Sequence, residues 1–325
     1  QVQLRRHPRP HDKRQQPHFG PSCQHRPHQV NHRRQRQCSR GETAITRIEY
    51  QPQHQYRTGE RTGGQPPAAA SFQPDSNQVT LADGSTLAYD VLIVSPGIRL
   101  AWEKIEGLEA TLGQNGVTSN YRGDLAPYTW QLVQQMQGGR AIFSQPPMPI
   151  KCAGAPQKVM YLACDHWRRA GVLGDIAVEF RNAGAVLFGV ADYVPALMEY
   201  VGKYGIALEL GSNLIAVDGP AREATFATGD GEVTVGFDMM HVVPPQVAPQ
   251  FLAESQLAAA SGFTEVDQHT LQHVRYPNVF GLGDAGSMPN AKTAAAARKQ
   301  AEKEAGELTN FMVSFALFYL QSISL

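Results

Sequence analysis

One cysteine stands in a setting that favours chemistry. Cys152 follows a proline-rich loop and comes directly after Lys151, and a helix is expected to start near Pro156 with Lys158 in its first turn. Positive charge and the unpaired N–H groups of a helix N-terminus both favour a thiolate, which is the nucleophilic form of cysteine. The sequence therefore predicts a sulfur nucleophile at Cys152, with an inert buried cysteine as the alternative.

The other cysteines point to no further site. Cys164 falls inside the same predicted helix, where a buried and inert thiol is expected. The four cysteines of the chain are too few and too irregularly spaced for a disulfide scaffold or a zinc knuckle. Any thiol chemistry is therefore that of one cysteine or one redox pair, and no metal site is predicted.

Two segments end a short apolar strand in a glycine turn. In the first, residues 89–97, the strand Val91–Val94 runs into Pro96 and Gly97, and glycine lets the backbone pass close to a ligand. In the second, residues 277–284, a strand leads to Gly283 and Asp284. About 190 residues separate the two segments, an order and spacing typical of flavoproteins with two dinucleotide-binding domains.

Asp284 is the polar group of this pair of motifs. A carboxylate at the end of a strand can accept a hydrogen bond from a ribityl hydroxyl, and the alternative is an ordinary turn or cap aspartate. We therefore predict an α/β protein with the FAD/NAD(P)-binding, Rossmann-like fold, in which Pro96, Gly97, Gly283 and Asp284 contact the cofactor.

A set of longer motifs resembles one family of such flavoproteins, the sulfide:quinone oxidoreductases of the mitochondrial and related bacterial type. The resemblance runs from about residue 68 to residue 301, and the segments that carry it are 151–158, 160–162, 241–245, 271–281 and 292–296. It implies a bound FAD, oxidation of sulfide to sulfane sulfur held on the protein, and transfer of two electrons to a membrane quinone.

The resemblance also implies roles for single residues. Cys152 would handle the sulfur, and Lys292 and Thr293 would contact the cofactor. Lys292, with the helix that it opens, would direct positive charge at the flavin pyrimidine edge, the alternative being a solvated lysine in a first turn. Pro244 and Pro245 would wall the flavin or form a rigid loop. Contact with a membrane would be peripheral.

The chain departs from the family at three places. No G-x-G-x-x-G motif occurs in residues 1–67, so the first FAD half-site is expected to be missing. The partner cysteine expected after Asp284 is replaced by the run Ala285 to Ser287. With one cysteine, the sulfur would have to leave to an external acceptor such as a thiol or cyanide. The last 15 residues are apolar but shorter than the roughly 20 needed to span a bilayer.

Four parts of the chain follow from these patterns. Residues 1–61 carry 13 Lys and Arg against 4 Asp and Glu, with no apolar periodicity, so 1–67 is expected to be a disordered or aberrant basic segment. Residues 68–138 and 239–305 would form a partial FAD-binding domain, 139–238 a second dinucleotide-like domain carrying Cys152, and 306–325 an apolar tail. The basic head leaves nucleic-acid binding open as an alternative, but none is expected.

The expected secondary structure places the motifs. We predict a β-hairpin at 78–89 with its turn at Asp83-Gly84, a helix at 124–137 and a helix from about 156. Strands are expected at 141–143, 176–180, 185–188, 206–210 and 214–217, with helices at about 192–203 and after residue 290. Together these predict a small doubly wound unit.

Two rival functions remain open at this point. The second unit has no G-x-G-x-x-G after its first strand, which argues against NAD(P)H as electron donor. A flavin-dependent reductase with another donor is one rival, and a non-catalytic remnant that lacks the first half-site is the other. No secretory signal is apparent, because no apolar stretch of signal-peptide length follows the basic residues.

Overall fold

The computed structural model describes residues 68–303. Its strands are short, and most of them end in glycine- or proline-containing turns. In chain order they are β1 (Ala69–Gln73), β2 (Gln78–Leu81), β3 (Thr86–Ala88), β4 (Leu92–Val94), β5 (Arg99–Leu100), β6 (Val117–Thr118), β7 (Gly139–Gln145), β8 (Ile176–Asn182), β9 (Ala207–Leu210), β10 (Asn213–Asp218), β11 (Glu223–Thr228), β12 (Gly231–Gly236), β13 (Met239–His241), β14 (Gln246–Val247) and β15 (Val279–Gly281).

Six α-helical segments accompany the strands. They are α1 (Leu108–Thr111), α2 (Ala126–Gln135), α3 (Gly154–Ala170), α4 (Val194–Tyr204), α5 (Gln250–Ala253) and a helix, α6, at 294–303. Single turns of 3-10 helix lie at Pro74–Ser76, Trp102–Lys104, Gly123–Leu125, Leu173–Asp175, Ala191–Tyr193 and Gly283–Ala285. Among the residues from 68 to 303, no helix combines the length and the hydropathy needed to cross a bilayer.

The largest sheet has five parallel strands in the order β6-β13-β7-β8-β9. Successive side chains of a strand point to opposite faces. In β7, Phe143 therefore packs into a core with the buried faces of α3 and α4, while Ile142 packs into a second core with β10 and β11. One face of the sheet is thus covered by helices and the other by the antiparallel sheet β10-β11-β12.

Smaller sheets hold the glycine motifs. The strands β1, β2 and β3 form an antiparallel sheet, β4 pairs in parallel with β15, and β5 pairs with β14. A third core, formed by residues of the β1–β3 sheet, β4, β15 and the segment 248–263, lies beneath them. The two motifs that are about 190 residues apart in sequence are therefore neighbouring strands.

Several sequence predictions are confirmed. The hairpin has its turn at Asp83-Gly84, and Gly84 has the positive φ of +84° that this turn requires. The predicted helices at 124–137, from about 156 and at about 192–203 correspond to α2, α3 and α4, and Met160, Ala163 and Trp167 of α3 are buried as expected.

Other predictions are wrong. No strand forms at 185–188, because Asn182 and Gln157 bind backbone carbonyls of this segment and hold it as a loop. The strands β1, β11 and β12 were not predicted. The doubly wound arrangement is also incorrect, since helices cover only one face of the sheet.

The predicted boundary between residues 238 and 239 has to be moved. The strand β13 pairs with β6 and with β7, so it belongs to the five-stranded sheet and not to the partner domain. The strand β6 and the buried side chains Val133 and Met136 of the preceding segment join the same unit. The predicted segments 1–67 and 306–325 lie outside the described residues.

Candidate active site

The carboxyl ends of β4 and β15 form one edge of the candidate site. Gly281 pairs with Val94, and the N–H of Leu282 donates to the Val94 carbonyl at 3.2 Å. Beyond this pair, Pro96 is buried and Gly97 has φ +81°, a conformation that favours glycine. No described atom lies within 4 Å of a Cβ placed on Gly97.

The Asp284 turn follows β15 at the same edge. Gly283 has φ +69° and its N–H donates to Gln300 Oε1 of α6 at 2.8 Å. Asp284 is partly exposed in the single 3-10 turn that follows. Asp284 therefore follows the end of β15, as the sequence predicts, and its contact with a cofactor stays a prediction.

The side chain of Lys292 forms hydrogen bonds with the Asp284 turn. Its side chain is only 5% exposed, and Nζ donates to the carbonyls of Asp284 at 2.7 Å and Gly286 at 2.9 Å and lies 4.1 Å from the centre of the Phe263 ring. Burial lowers the pKa of Lys292, and the negative charge of Asp284 partly opposes this effect. Lys292 is therefore not a solvated lysine, because its Nζ binds the Asp284–Gly286 turn, and its role toward a cofactor stays a prediction.

Thr293 begins the helix that was predicted to open at Lys292. Its Oγ1 accepts the N–H of Ala296 at 3.1 Å and its carbonyl accepts the N–H of Ala297 at 2.9 Å, so Thr293 is the N-cap of α6. Ala294 and Ala295 follow it and are exposed. Small side chains at a capped helix N-terminus leave its positive end accessible to a negatively charged group.

Cys152 is joined directly to this edge. It lies between β7 and α3, and its N–H donates to the Lys292 carbonyl at 3.0 Å. Lys151 and Lys292 form a parallel bridge at the same point. The cysteine loop of the five-stranded unit thus contacts the residue whose Nζ supports the Asp284 turn.

Two residues that the sequence reasoning missed also bind the cysteine loop. Tyr121 donates from its hydroxyl to the Lys151 carbonyl at 2.8 Å, and the Cys152 carbonyl lies 3.3 Å from the same oxygen. Gln246 Oε1 accepts the N–H of Lys151 at 2.6 Å. No sequence signal marked these two residues, because both are far from the loop in sequence and bind only its backbone.

The two described cysteines differ sharply. Cys152 is exposed and has φ +56°, in the left-handed region that residues with a Cβ seldom adopt. Cys164 has no exposed surface, and burial raises the pKa of its thiol to about 12. The prediction that Cys164 is buried is confirmed, and Cys152 is the accessible thiol.

His241 is a buried titratable group that reaches the cysteine loop through the segment before Tyr121. It ends β13, has no exposed surface, and its Nε2 accepts the N–H of Asn120, the residue before Tyr121, at 2.9 Å. Burial lowers the pKa of His241 to about 4, so the ring is neutral at physiological pH. His241 therefore fixes backbone next to Tyr121 without adding charge. In the loop that follows β13, the Pro245 carbonyl accepts the N–H of Ala101 at 2.8 Å.

Comparison with known proteins bears on this arrangement. No family model matches the chain. Over 248 residues it is 41% identical to a mitochondrial sulfide:quinone oxidoreductase of Dictyostelium discoideum, an alignment that covers 76% of this chain and 55% of that protein. Over 234 residues it is 39% identical to the mitochondrial sulfide:quinone oxidoreductase of Mus musculus, covering 71% of this chain and 52% of that protein. The chain is a relative of the sulfide:quinone oxidoreductases.

The fold agrees with this relationship. The sulfide:quinone oxidoreductase of Aquifex aeolicus superposes with a TM-score of 0.58 at 19% identity, over 68% of this chain and 52% of that chain. Both the predicted fold class and the resemblance to sulfide:quinone oxidoreductases are thereby confirmed. The chain spans about half the length of the curated relatives it matches.

Proposed function

We propose that the chain oxidises sulfide at Cys152, holds the sulfane sulfur there, and passes the electrons through FAD to a quinone. One observation carries the proposal: the N–H of Cys152 donates to the carbonyl of Lys292, whose Nζ donates to the carbonyl of Asp284. An accessible thiol and a predicted flavin-binding turn are thus linked through one residue. The names of the curated relatives support the choice of sulfide and quinone.

The described residues fit the flavin end of FAD. Gly97 leaves room beside the strand ends, Asp284 offers a carboxylate to a ribityl hydroxyl, and the Thr293-capped start of α6 offers positive potential to the pyrimidine edge. Gly283 and Pro96 shape the turns on either side. When bound, FAD would supply a two-electron acceptor that a quinone can reoxidise.

The chain's own part of the reaction is sulfur transfer at Cys152. An external thiol takes the sulfane sulfur from a persulfide on Cys152, which leaves Cys152 as a thiolate. Joining hydrosulfide to that thiolate re-forms the S–S bond and releases two electrons, which a bound FAD would accept and pass to the quinone. In sum, one hydrogen sulfide, one thiol and one quinone give one persulfide and one quinol, so atoms and electrons balance. Because Ala285, Gly286 and Ser287 replace the expected second cysteine, the external thiol has to take the sulfur from Cys152 before the next turnover.

The two predicted domains are proposed again with a changed boundary. We propose that the strands β4 and β15 with α6 belong to the FAD-binding part, and that the five-stranded sheet with β10–β12 forms the second dinucleotide-like unit. We further propose peripheral contact with a membrane, as expected for an enzyme that reduces a membrane quinone. The apolar segment 311–325 supports that contact by its composition.

The test is reduction of the purified full chain by sulfide without oxygen. We expect visible flavin absorption that sulfide bleaches and a soluble quinone restores, with thiocyanate formed when cyanide is the acceptor. Cys152→Ser should slow bleaching by at least about 100-fold, as expected when a nucleophile is removed. Cys164→Ala is the matched control and should bleach at the normal rate.

Other results would favour the rivals. A colourless protein would indicate the non-catalytic remnant, and bleaching by NADH or NADPH but not by sulfide would indicate the reductase. Equal bleaching rates in the Cys152→Ser and Cys164→Ala variants would remove Cys152 from the mechanism.

A further inference from the structure

We infer that Tyr121 and Gln246 are positioning residues that hold the turn at Cys152 and so control the reactivity of its thiol. The inference rests on the proposed function, which makes Cys152 the reacting residue. Neither side chain is placed in contact with the sulfur atom. Both act on the peptide groups next to it.

The backbone at Cys152 needs external support. Its φ of +56° brings the Cβ close to its own backbone, a conformation that glycine adopts freely and cysteine does not. Such residues persist only where the surrounding contacts over-determine the conformation, and they concentrate at functional sites. The question is therefore which contacts hold the turn.

Three distant segments bind the two peptide groups that precede the Cα of Cys152. The Lys292 carbonyl accepts the Cys152 N–H at 3.0 Å, Gln246 Oε1 accepts the Lys151 N–H at 2.6 Å, and the Tyr121 hydroxyl donates to the Lys151 carbonyl at 2.8 Å. On the other side of the Cα, the Cys152 carbonyl accepts the N–H of Ala155 at 2.8 Å and lies 3.3 Å from the Tyr121 hydroxyl. Rotation into the more common right-handed region would break these bonds together.

Gln246 is a polar residue at a buried position. It is 3% exposed, and among residues 68–303 its Nε2 has no hydrogen-bond partner that meets normal geometry. A buried amide with half of its hydrogen-bonding capacity unmet is unfavourable, so an apolar residue would suit packing better. The hydrogen bond that Gln246 accepts from the Lys151 N–H explains why glutamine is favoured at this position. Because β14 pairs Gln246 with Leu100 of β5, it also ties the turn to the segment that follows Gly97.

The backbone at Tyr121 is fixed by hydrogen bonds to two side chains. Its N–H donates to Ser119 Oγ at 3.2 Å, and the N–H of the preceding Asn120 is bound to buried His241. Burial raises the pKa of Tyr121, negative charge on Cys152 raises it further, and the neighbouring Gln246 side chain opposes these effects only in part. The hydroxyl therefore remains a proton donor across the working pH range, including when Cys152 is a thiolate.

The experiment measures alkylation of Cys152 by iodoacetamide as a function of pH, followed by mass spectrometry of the Cys152 peptide in the full chain. The native profile is compared with that of the same chain in urea. Tyr121→Phe and Gln246→Leu each remove one anchor with little change in volume. Tyr128→Phe is the matched control, because Tyr128 bonds the N–H of Gly116 and not the cysteine loop.

We expect the native rate constant to differ from the unfolded one, and each anchor variant to move toward the unfolded profile by about three- to tenfold, the factor that corresponds to one lost hydrogen bond. Tyr128→Phe should keep the native profile. Thermal unfolding midpoints show that the variants are folded at the assay temperature. If one anchor variant does not fold, the other decides.

Three outcomes would overturn the inference. Either the anchor-variant profiles coincide with the native one, or Tyr128→Phe shifts as much as they do. A native profile that already matches the unfolded chain would overturn it as well. Alkylation needs neither flavin nor sulfide, so a chain that sulfide does not bleach could still show the positioning effect, and the two failures are distinct.

Discussion

Two strand edges that look alike in sequence differ in what occupies them. At the ends of β4 and β15, which we call the open edge, a Cβ added to Gly97 would meet no described atom within 4 Å, and only small or partly exposed residues follow. At the ends of β7 and β8, which we call the filled edge, the protein's own side chains take the space. There Asn182 Nδ2 donates to the Val186 carbonyl at 2.9 Å and Gln157 Nε2 to the Leu187 carbonyl at 2.7 Å.

The difference supports the proposal that the chain binds a cofactor at the open edge and none at the filled edge. The carboxyl edge of a parallel sheet is the usual place for a nucleotide, but it binds one only if backbone N–H groups and space are free. At the filled edge the segment 183–187 uses both. The loop after β7 carries Cys152, whose N–H donates to the carbonyl of Lys292 next to the open edge.

The largest effect is expected at Lys292. Lys292→Met keeps the volume but leaves the buried carbonyls of Asp284 and Gly286 without a donor, so we expect a loss of about 3 kcal/mol in the free energy of unfolding and loss of flavin. Urea unfolding and flavin content measure this. Lys104→Met changes an exposed lysine and should alter neither. If Lys292→Met were as stable as Lys104→Met, the open edge would not depend on this support.

The second effect concerns acid sensitivity near the filled edge. His241 binds fewer protons in the folded state than in the unfolded state, because its pKa falls from 6.5 to about 4. Stability is therefore full above pH 6.5 and declines as pH falls toward 4, by up to about 3 kcal/mol. The pKa of His273 is lowered too, mainly by burial, and adds to the slope.

The pH dependence can be assigned by substitution. In His241→Gln the decline between pH 6.5 and 4 should become shallower in urea unfolding, because glutamine can accept the Asn120 N–H without titrating. His269→Gln replaces an exposed histidine and should keep the native slope. Equal slopes in all three proteins would show that His241 does not control acid stability.

A third and smaller effect tests the filled edge itself. Asn182→Ala removes the donor to Val186 and the acceptor of the Gly184 N–H, so we expect about 2 kcal/mol of destabilisation with normal flavin content. NADPH, followed by tryptophan fluorescence, should not bind the native chain. Tight NADPH binding to the native chain would contradict the assignment of this edge as filled.

The smallest change in stability is expected at Gly97. Gly97→Ala places a Cβ at φ +81°, which costs about 1 kcal/mol, and narrows the space for a cofactor. Gly84→Ala imposes the same strain at φ +84° with equally open surroundings, far from the site. We expect similar unfolding free energies for the two variants, but reduced flavin content only for Gly97→Ala. Equal flavin content would separate Gly97 from the cofactor.

The sequence predicted the parts of the molecule that have local signals. The Asp83-Gly84 hairpin, the helices α2 to α4 and the two glycine turns follow from periodicity and turn chemistry. The strand β12 was missed because five of its six residues are exposed, and β11 because only Ala224 and Phe226 of its residues are buried. Exposed strands carry little apolar alternation, so pattern reasoning has nothing to detect.

The site was predictable only in part. Cys152, Gly97 and Asp284 are marked by residue type and local context, whereas Tyr121 and Gln246 act over 30 and 95 positions through backbone carbonyls and N–H groups. Bonds to backbone place no demand on the sequence of their partner and leave no pattern. Lys292 was found by resemblance, but its burial and its contacts with the Asp284 turn required the structure.

The position of β13 has a consequence for how the chain is made. Met240 pairs with Val117 on one side, and its neighbours pair with β7 on the other, so a strand synthesised about 100 residues later separates two strands that emerge from the ribosome close together. Until residue 241 is available, β6 and β7 cannot take their final neighbours, and direct pairing between them would be a trap. Late, long-range closure of this kind slows folding and leaves strand edges exposed to aggregation. The five-stranded sheet is therefore completed late in synthesis, and a nascent chain halted before residue 239 should remain a client for chaperones.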